Sequence, residues 1–153
     1  MKIRVVWVGR TRNKSLAAVS NDLAGRIQHM IGFEIVELRE SRIPDDRKRI
    51  EAEGSKILDS LSGADFVIAL EAGGRTFTSP GFATFISRHM SENPRDLVFV
   101  VGGPAGLSDA IRTRADMEVS LSTLTVSHDL ARTMLIEQLY RALSIIRNLP
   151  YAR

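Results

Sequence analysis

The sequence predicts an α/β fold: a mainly parallel sheet with helices on both faces. Three observations predict it. Short apolar runs rich in β-branched residues recur along the chain. Amphipathic stretches with helical spacing separate them. No repeat, low-complexity tract or linker breaks the alternation, so residues 1–153 read as a single domain, long enough to bury its own core.

The elements follow in order. Ile3 to Val8 reads as a buried strand. Ser15 to Met30 places Leu16, Val19, Leu23, Ile27 and Met30 on one helical face. Phe33 to Leu38 is a strand, and Asp45 to Leu61 a charged surface helix with Ile50, Ile57, Leu58 and Leu61 inward. Phe66 to Leu70 is a short, fully apolar strand. Pro80 to Met90 reads as a helix with Ser79 as its N-cap and proline in the first turn. Leu97 to Val101 is another buried strand, Ser108 to Ala115 a short helix capped by Ser108, and Met117 to Ser120 a weak strand. Asp129 to Asn148 is a long helix stopped by Pro150.

Composition narrows the function classes. Hydrophobic residues make up 44% and charged residues 25%, an ordinary globular balance without an apolar run of the ~18 residues a membrane span needs. The first residues read as a strand rather than a secretory signal, so the expected compartment is the cytoplasm. The absence of cysteine excludes disulfides, thiolate metal sites and a cysteine nucleophile. His29, His89 and His128 are too widely spaced for a histidine cluster, and no metal is expected. The net charge of +3 is unevenly spread: Lys2, Arg4, Arg10, Arg12 and Lys14 precede the first acid, Asp22. Arg10 to Lys14 lie between a strand and a helix, so their charges fan out from one loop, where they would attract a polyanion.

In an open parallel sheet, ligands sit outside the carboxyl ends of the strands. Three segments there stand out. Gly102-Gly103-Pro104-Ala105-Gly106 allows close ligand approach, and the helix after it would turn its first amides toward that ligand. Its spacing is not the G-x-G-x-x-G of dinucleotide sites, and no well-placed acid follows for a ribose, which disfavours a nucleotide-dependent oxidoreductase. Glu71-Ala72-Gly73-Gly74-Arg75 is a second glycine-bearing loop, and the pair suggests one shared pocket. Leu121 to His128 carries four hydroxyls. Its polar groups could bond a purine edge while Leu121, Leu124 and Val126 sandwich the ring; an ordinary strand-to-helix connection capped by Ser127 fits as well. The last helix is apolar on more than one face and calls for a second partner, most simply another copy of the chain. Glu137 and Arg141 form an i,i+4 pair on its polar stripe, worth ~0.3 kcal/mol if exposed.

Val101 to Ser108, Leu121 to Thr125 with His128 and Arg132, Glu137 to Ala142, and Pro150-Tyr151 together resemble the ribosomal large-subunit methyltransferase H family, small enzymes of the SPOUT class. Val6 to Gly9 and Leu70-Glu71-x-Gly also fit, so the resemblance spans nearly the whole chain. It implies a fold whose C-terminal segment is tied in a trefoil knot, a homodimer, and S-adenosylmethionine bound in the knot. It implies methylation of N3 of a pseudouridine in a 23S rRNA stem-loop of the assembled ribosome. Matched by motif, the cofactor contacts would be Leu70, Gly103, Ser122, Thr123, Leu124, Thr125, Val126 and Ser127. His128, Arg132, Arg141 and Tyr151 match the RNA-facing, catalytic side.

The resemblance also implies a direct displacement, N3 attacking the sulfonium methyl group and losing its proton. Alignment is then the main task of the protein. Arg141 or Arg132 would stabilise negative charge developing on the ring, and His128 is a possible base. The partner chain would complete the RNA site, through Arg10, Arg12 and Lys14. Two residues depart from the family pattern. Ser127 stands where proline is common, and Ala152 stands where a histidine is common. A non-catalytic ribosome-binding factor that kept the fold is the alternative reading.

Overall fold

The computed structural model describes residues 1–152. Five strands form one parallel sheet: β1 (Lys2–Val8), β2 (Gly32–Leu38), β3 (Phe66–Arg75), β4 (Leu97–Val100) and β5 (Met117–Val119). Their spatial order is β2-β1-β4-β3-β5. Five helices alternate with them: α1 (Lys14–Gln28), α2 (Asp46–Asp59), α3 (Ser79–Glu92), α4 (Asp109–Arg114) and α5 (His128–Ile146). A 3-10 turn, Pro150–Ala152, follows α5.

Strand side chains alternate between two cores, as a period of two requires. Ile3, Val5 and Trp7 of β1, Ile68 of β3 and Leu97 and Phe99 of β4 pack with α1, α3 and α5. Val6, Val67, Ala69, Val98 and Val100 face the other way, onto Ile57 of α2 and Ile111 of α4. Central β4 is wholly buried, which explains why its four residues are apolar without alternation. The chain leaves β1 toward α1 on one face and leaves β4 toward α4 on the other. The crevice between these neighbouring strands is the switch point where open sheets hold ligands.

Three expectations are corrected. Thr78, not Ser79, caps α3, its hydroxyl accepting from the Gly81 amide; Ser79 Oγ instead donates to Gln138 Oε1 at 2.7 Å. The segment Glu71 to Arg75 is not a loop but the continuation of β3, which slips register and rejoins β5 at Arg75. Gly74 serves that pairing, since a Cβ there would sit 2.6 Å from the Val119 amide nitrogen. The third correction concerns only part of α5. Leu135, Ile136, Leu139, Ala142 and Leu143 are buried in the core shared with α1 and α3. Leu130 is 38% exposed, and Met134, Ile145 and Ile146 are half-buried. A buried hydrogen bond between Ser20 and Thr133, 2.8 Å long, fixes α1 against α5.

Candidate functional site

A cleft of about 470 Å³ opens at the carboxyl ends of β3, β4 and β5, within the range of small-molecule sites. Leu70, Gly103, Ser122, Leu124, Thr125, Val126 and Ser127 all line it, as the motif match expects. Thr123 lies in the same loop but is not part of the lining. Glu71 and His128 also line the cleft. Glu71 was expected only as part of a glycine loop; the strand's continuation turns it to the cleft, where Arg112 holds it at 2.8 Å.

The local chemistry explains the loop shapes. Ser120 Oγ donates to the Ser122 carbonyl at 2.9 Å, and Ser122 Oγ accepts from the Leu124 amide at 2.9 Å. Ser127 Oγ accepts from the Leu130 amide and caps α5. Two of the hydroxyls expected to read a ligand therefore serve the backbone first. The resulting turn holds the Leu124 side chain outward, 76% exposed, beside the cleft. Gly106 has φ +88° and donates its amide to the Gly103 carbonyl at 3.0 Å, closing a tight turn. Gly103 has no neighbouring atom within 4 Å of a built Cβ, so any side chain there would take up cleft space. No residue of the helix after this turn lines the cleft. The Ser108 cap packs against Gly54 of α2, so the loop's own residues face the ligand space.

The four residues expected on the catalytic side fall into three places. His128 begins α5 at the cleft wall. Its Nε2 lies 3.3 Å from Asp129 Oδ1, while Asp129 Oδ2 accepts from the amides of Arg12 and Asn13 at 3.0 Å each. Arg132, one turn on, is 1% exposed. Its guanidinium donates to the carbonyls of Val8 at 2.8 Å and Gly9 at 3.1 Å and to Thr11 Oγ1 at 3.2 Å, and it lies 4.7 Å from the Trp7 ring centroid. Burial lowers its pKa below that of free arginine, against the opposing pull of Asp129. The geometry makes Arg132 a buried pin on the β1–α1 loop.

Arg141 and Tyr151 are elsewhere. Glu137 Oε1 accepts from Arg141 Nε at 3.0 Å and Nη2 at 2.7 Å, and from the Tyr151 hydroxyl at 3.0 Å. The Arg141 guanidinium lies 5.2 Å from the Tyr151 ring centroid. Arg141 is held charged by Glu137, and burial raises the Tyr151 phenol above its ordinary range, aided by its bond to Glu137. At 1.5 Å rise per residue, Arg141 sits ~20 Å along α5 from His128. Neither Arg141 nor Tyr151 lines the cleft. The i,i+4 spacing of Glu137 and Arg141 revealed their pairing; nothing local in the sequence revealed their distance from the cleft.

Beside the first cleft lies a second, of about 580 Å³, which shares Gly103, Pro104, Gly106 and His128 with it and carries arginines on its other walls. A parallel sheet opening onto an apolar cleft, with a basic cleft alongside, defines the class: an open-sheet α/β protein shaped to hold a small organic ligand next to a cationic surface.

The chain belongs to the SPOUT methyltransferase family and is a methyltransferase. The family described as "Predicted SPOUT methyltransferase" matches residues 1–152. A ribosomal RNA large subunit methyltransferase H from Christiangramia forsetii is 38% identical over 154 residues, covering 99% of this chain and 98% of the relative. A protein of the same name from Syntrophotalea carbinolica is 40% identical, again over 99% and 98% of the two chains. Among solved structures, a probable methyltransferase from Bordetella pertussis Tohama I shares the fold, with TM-score 0.61, 18% identity and coverage of 93% of this chain and 96% of that one.

Proposed function

We propose that this chain uses S-adenosylmethionine to methylate N3 of a pseudouridine in 23S rRNA, acting in the cytoplasm on the assembled ribosome as a homodimer. The full-length similarity to relatives named for large-subunit rRNA methylation supports the RNA class. The cleft supports the cofactor. Its volume suits a nucleoside, the exposed Leu124 offers an apolar face for a purine, and the bare Gly103 leaves room for close approach. In this reading Leu70, Gly103 and the loop Ser122, Thr123, Leu124, Thr125, Val126 and Ser127 hold the cofactor, and these loops belong to a C-terminal trefoil knot. When bound, the cofactor supplies a methyl group already activated on a sulfonium centre.

One observation carries the dimer: Arg141 is ~20 Å along α5 from His128 at the cleft, and Tyr151 shares Glu137 with it, so neither lines the cleft their own chain forms. They meet a methyl donor only if a second copy presents them. Arg141, held charged by Glu137, then neutralises the ring that has lost its N3 proton, and Tyr151, kept protonated, donates a hydrogen bond. His128 stands at the wall next to Asp129 and is the candidate proton acceptor. Arg132 acts by holding the β1–α1 loop rather than by touching the ring.

Calorimetry with S-adenosylmethionine tests the cofactor, and labelled methyl transfer to ribosomes with and without pseudouridine tests the substrate. A chain that fails to bind the cofactor would instead be a non-catalytic ribosome-binding factor. The shared site is tested by mixing Arg141→Ala with Val126→Trp, which blocks the cleft. Each alone is inactive, but random mixing restores about a quarter of the sites if the residues act across a two-fold interface. A mixture that stays inactive overturns the dimer reading.

A further inference from the structure

We propose that the second cleft is a phosphodiester-binding site, holding the RNA backbone on either side of the target nucleotide within the same protomer. The proposal rests on the RNA reading above. The sequence alone suggested that the partner's Arg10, Arg12 and Lys14 complete the RNA site. The fold instead brings Arg10 and Arg12 beside their own chain's His128, across the turn that borders the cofactor cleft.

Charge is the first argument. Arg10, Arg12, Arg42 and Arg49 line the cleft against two carboxylates, Glu40 and Glu53. Those carboxylates are partly committed. Glu53 accepts from the Ser41 amide at 3.2 Å, and Glu40 stands 3.8 Å from Arg12, both side chains well exposed. Arg49 is tied to Asp46 and to the Ile43 carbonyl, and so shapes the wall. Arg10 and Arg42 are exposed and, among the described residues, make no hydrogen bond or ion pair. Two guanidinium forks are thus free, and their planar geometry matches phosphate oxygens.

Rigidity is the second argument. The loop bearing Arg10 and Arg12 is fixed from beneath by Arg132, bonded to Val8, Gly9 and Thr11, and by Asp129, bonded to the Arg12 and Asn13 amides. Five hydrogen bonds thus tie this loop and the end of β1 to two buried charged side chains, three donated by Arg132 and two accepted by Asp129. Arg132 also lines the cleft floor, where its Nε is buried without a partner. Position is the third argument. A base facing the methyl donor at the Gly103–Gly106 wall places its neighbouring phosphates on the far side of that wall, in this cleft. Charged and polar residues outnumber apolar ones along it, four of them arginines on its rim, which suits a phosphodiester backbone.

The test compares Arg10→Gln/Arg42→Gln with Lys2→Gln/Arg88→Gln, which removes the same charge away from the cleft. Binding of a fluorescent single-stranded 12-mer RNA is measured against salt, cofactor affinity by calorimetry, and methyl transfer on large ribosomal subunits. If two phosphate contacts are lost, the slope of log K against log salt falls by about 1.4 for single-stranded RNA. Affinity falls at least tenfold in the cleft variant only, with cofactor binding unchanged. Equal salt slopes in the two variants, while the unmodified protein binds RNA and transfers methyl groups, would overturn the cleft assignment and leave the proposed function standing. An unmodified protein that binds cofactor but neither binds RNA nor methylates ribosomes would overturn both.

Discussion

Replacing Arg132 by methionine separates a buried pin from a catalytic cation. The side chain is 1% exposed and makes three charge-assisted hydrogen bonds, to Val8, Gly9 and Thr11. Methionine fills much of the volume but leaves both carbonyls without this donor. Bonds to a charged group are worth about 1.5–3 kcal/mol each. Returning a desolvated guanidinium to a neutral side chain offsets part of that loss, as replacements of buried charges often do. The lowered pKa of Arg132 marks this offset. A net loss of about 3 kcal/mol follows, a large share of the 5–15 kcal/mol that stabilises a typical domain. With a urea slope of about 2 kcal/mol/M, the unfolding midpoint falls by about 1.5 M. Methyl transfer falls too, because the loop carrying Arg10 and Arg12 is released. A midpoint shift under about 0.5 M, with transfer down a hundredfold, would refute the reasoning and make Arg132 a direct participant in the chemistry.

Gly74→Ala forces a Cβ against the backbone of Glu118 and Val119. It should cost about 2 kcal/mol and lower the melting temperature by roughly 4–8 °C, whereas Gly73→Ala, with nothing within 4 Å of its Cβ, should change it little; calorimetric melting compares the two. Glu137→Gln removes the negative charge from the acceptor that Arg141 and Tyr151 share. Transfer to ribosomes should drop about 10–100-fold with cofactor affinity unchanged, as expected when only the alignment of a transition-state donor is lost. The raised pKa of Tyr151 means that folding holds the phenol proton more tightly than the unfolded chain does. The stability this contributes is full below the ordinary tyrosine pKa of about 10 and is lost as pH rises through the higher folded value. Ultraviolet titration should show a late-ionising phenol that Tyr151→Phe removes.

The sheet and its helices were legible because β1, β4 and the first half of β3 are apolar runs and the longer helices keep a period of 3.6. Local chemistry was legible as well: Ser108 caps α4, and Ser127 caps α5, one of the two roles left open for it. What escaped was set by tertiary partners. Gly73 and Gly74 looked like a loop, but a close approach to β5 extends the strand through them. The apolar surplus of α5 looked like an interface; α1 and α3 cover Leu135, Ile136, Leu139 and Leu143, while Leu130 stays exposed. The segment Ser122 to Ser127 stood out as a motif in one stretch of sequence, and all of it but Thr123 lines the first cleft. The roles of Arg132 and Arg141 were not legible, because burial under Trp7 and distance along α5 depend on how the helix lies on the sheet. Glu71 stood in the sequence only as part of a glycine-bearing segment, with no role of its own.

The wall formed by Gly103, Pro104, Gly106 and His128 belongs to both clefts at once. With the donor in one and RNA in the other, as proposed, both ligands would rest against these few shared residues. Any displacement of that wall by the methyl donor that alters the affinity for RNA by some factor must alter the donor's own affinity by the same factor when RNA is bound. Spent cofactor, lacking the methyl group, would press on the wall differently from the donor. The same few residues could in that way couple completion of the reaction to release of the RNA.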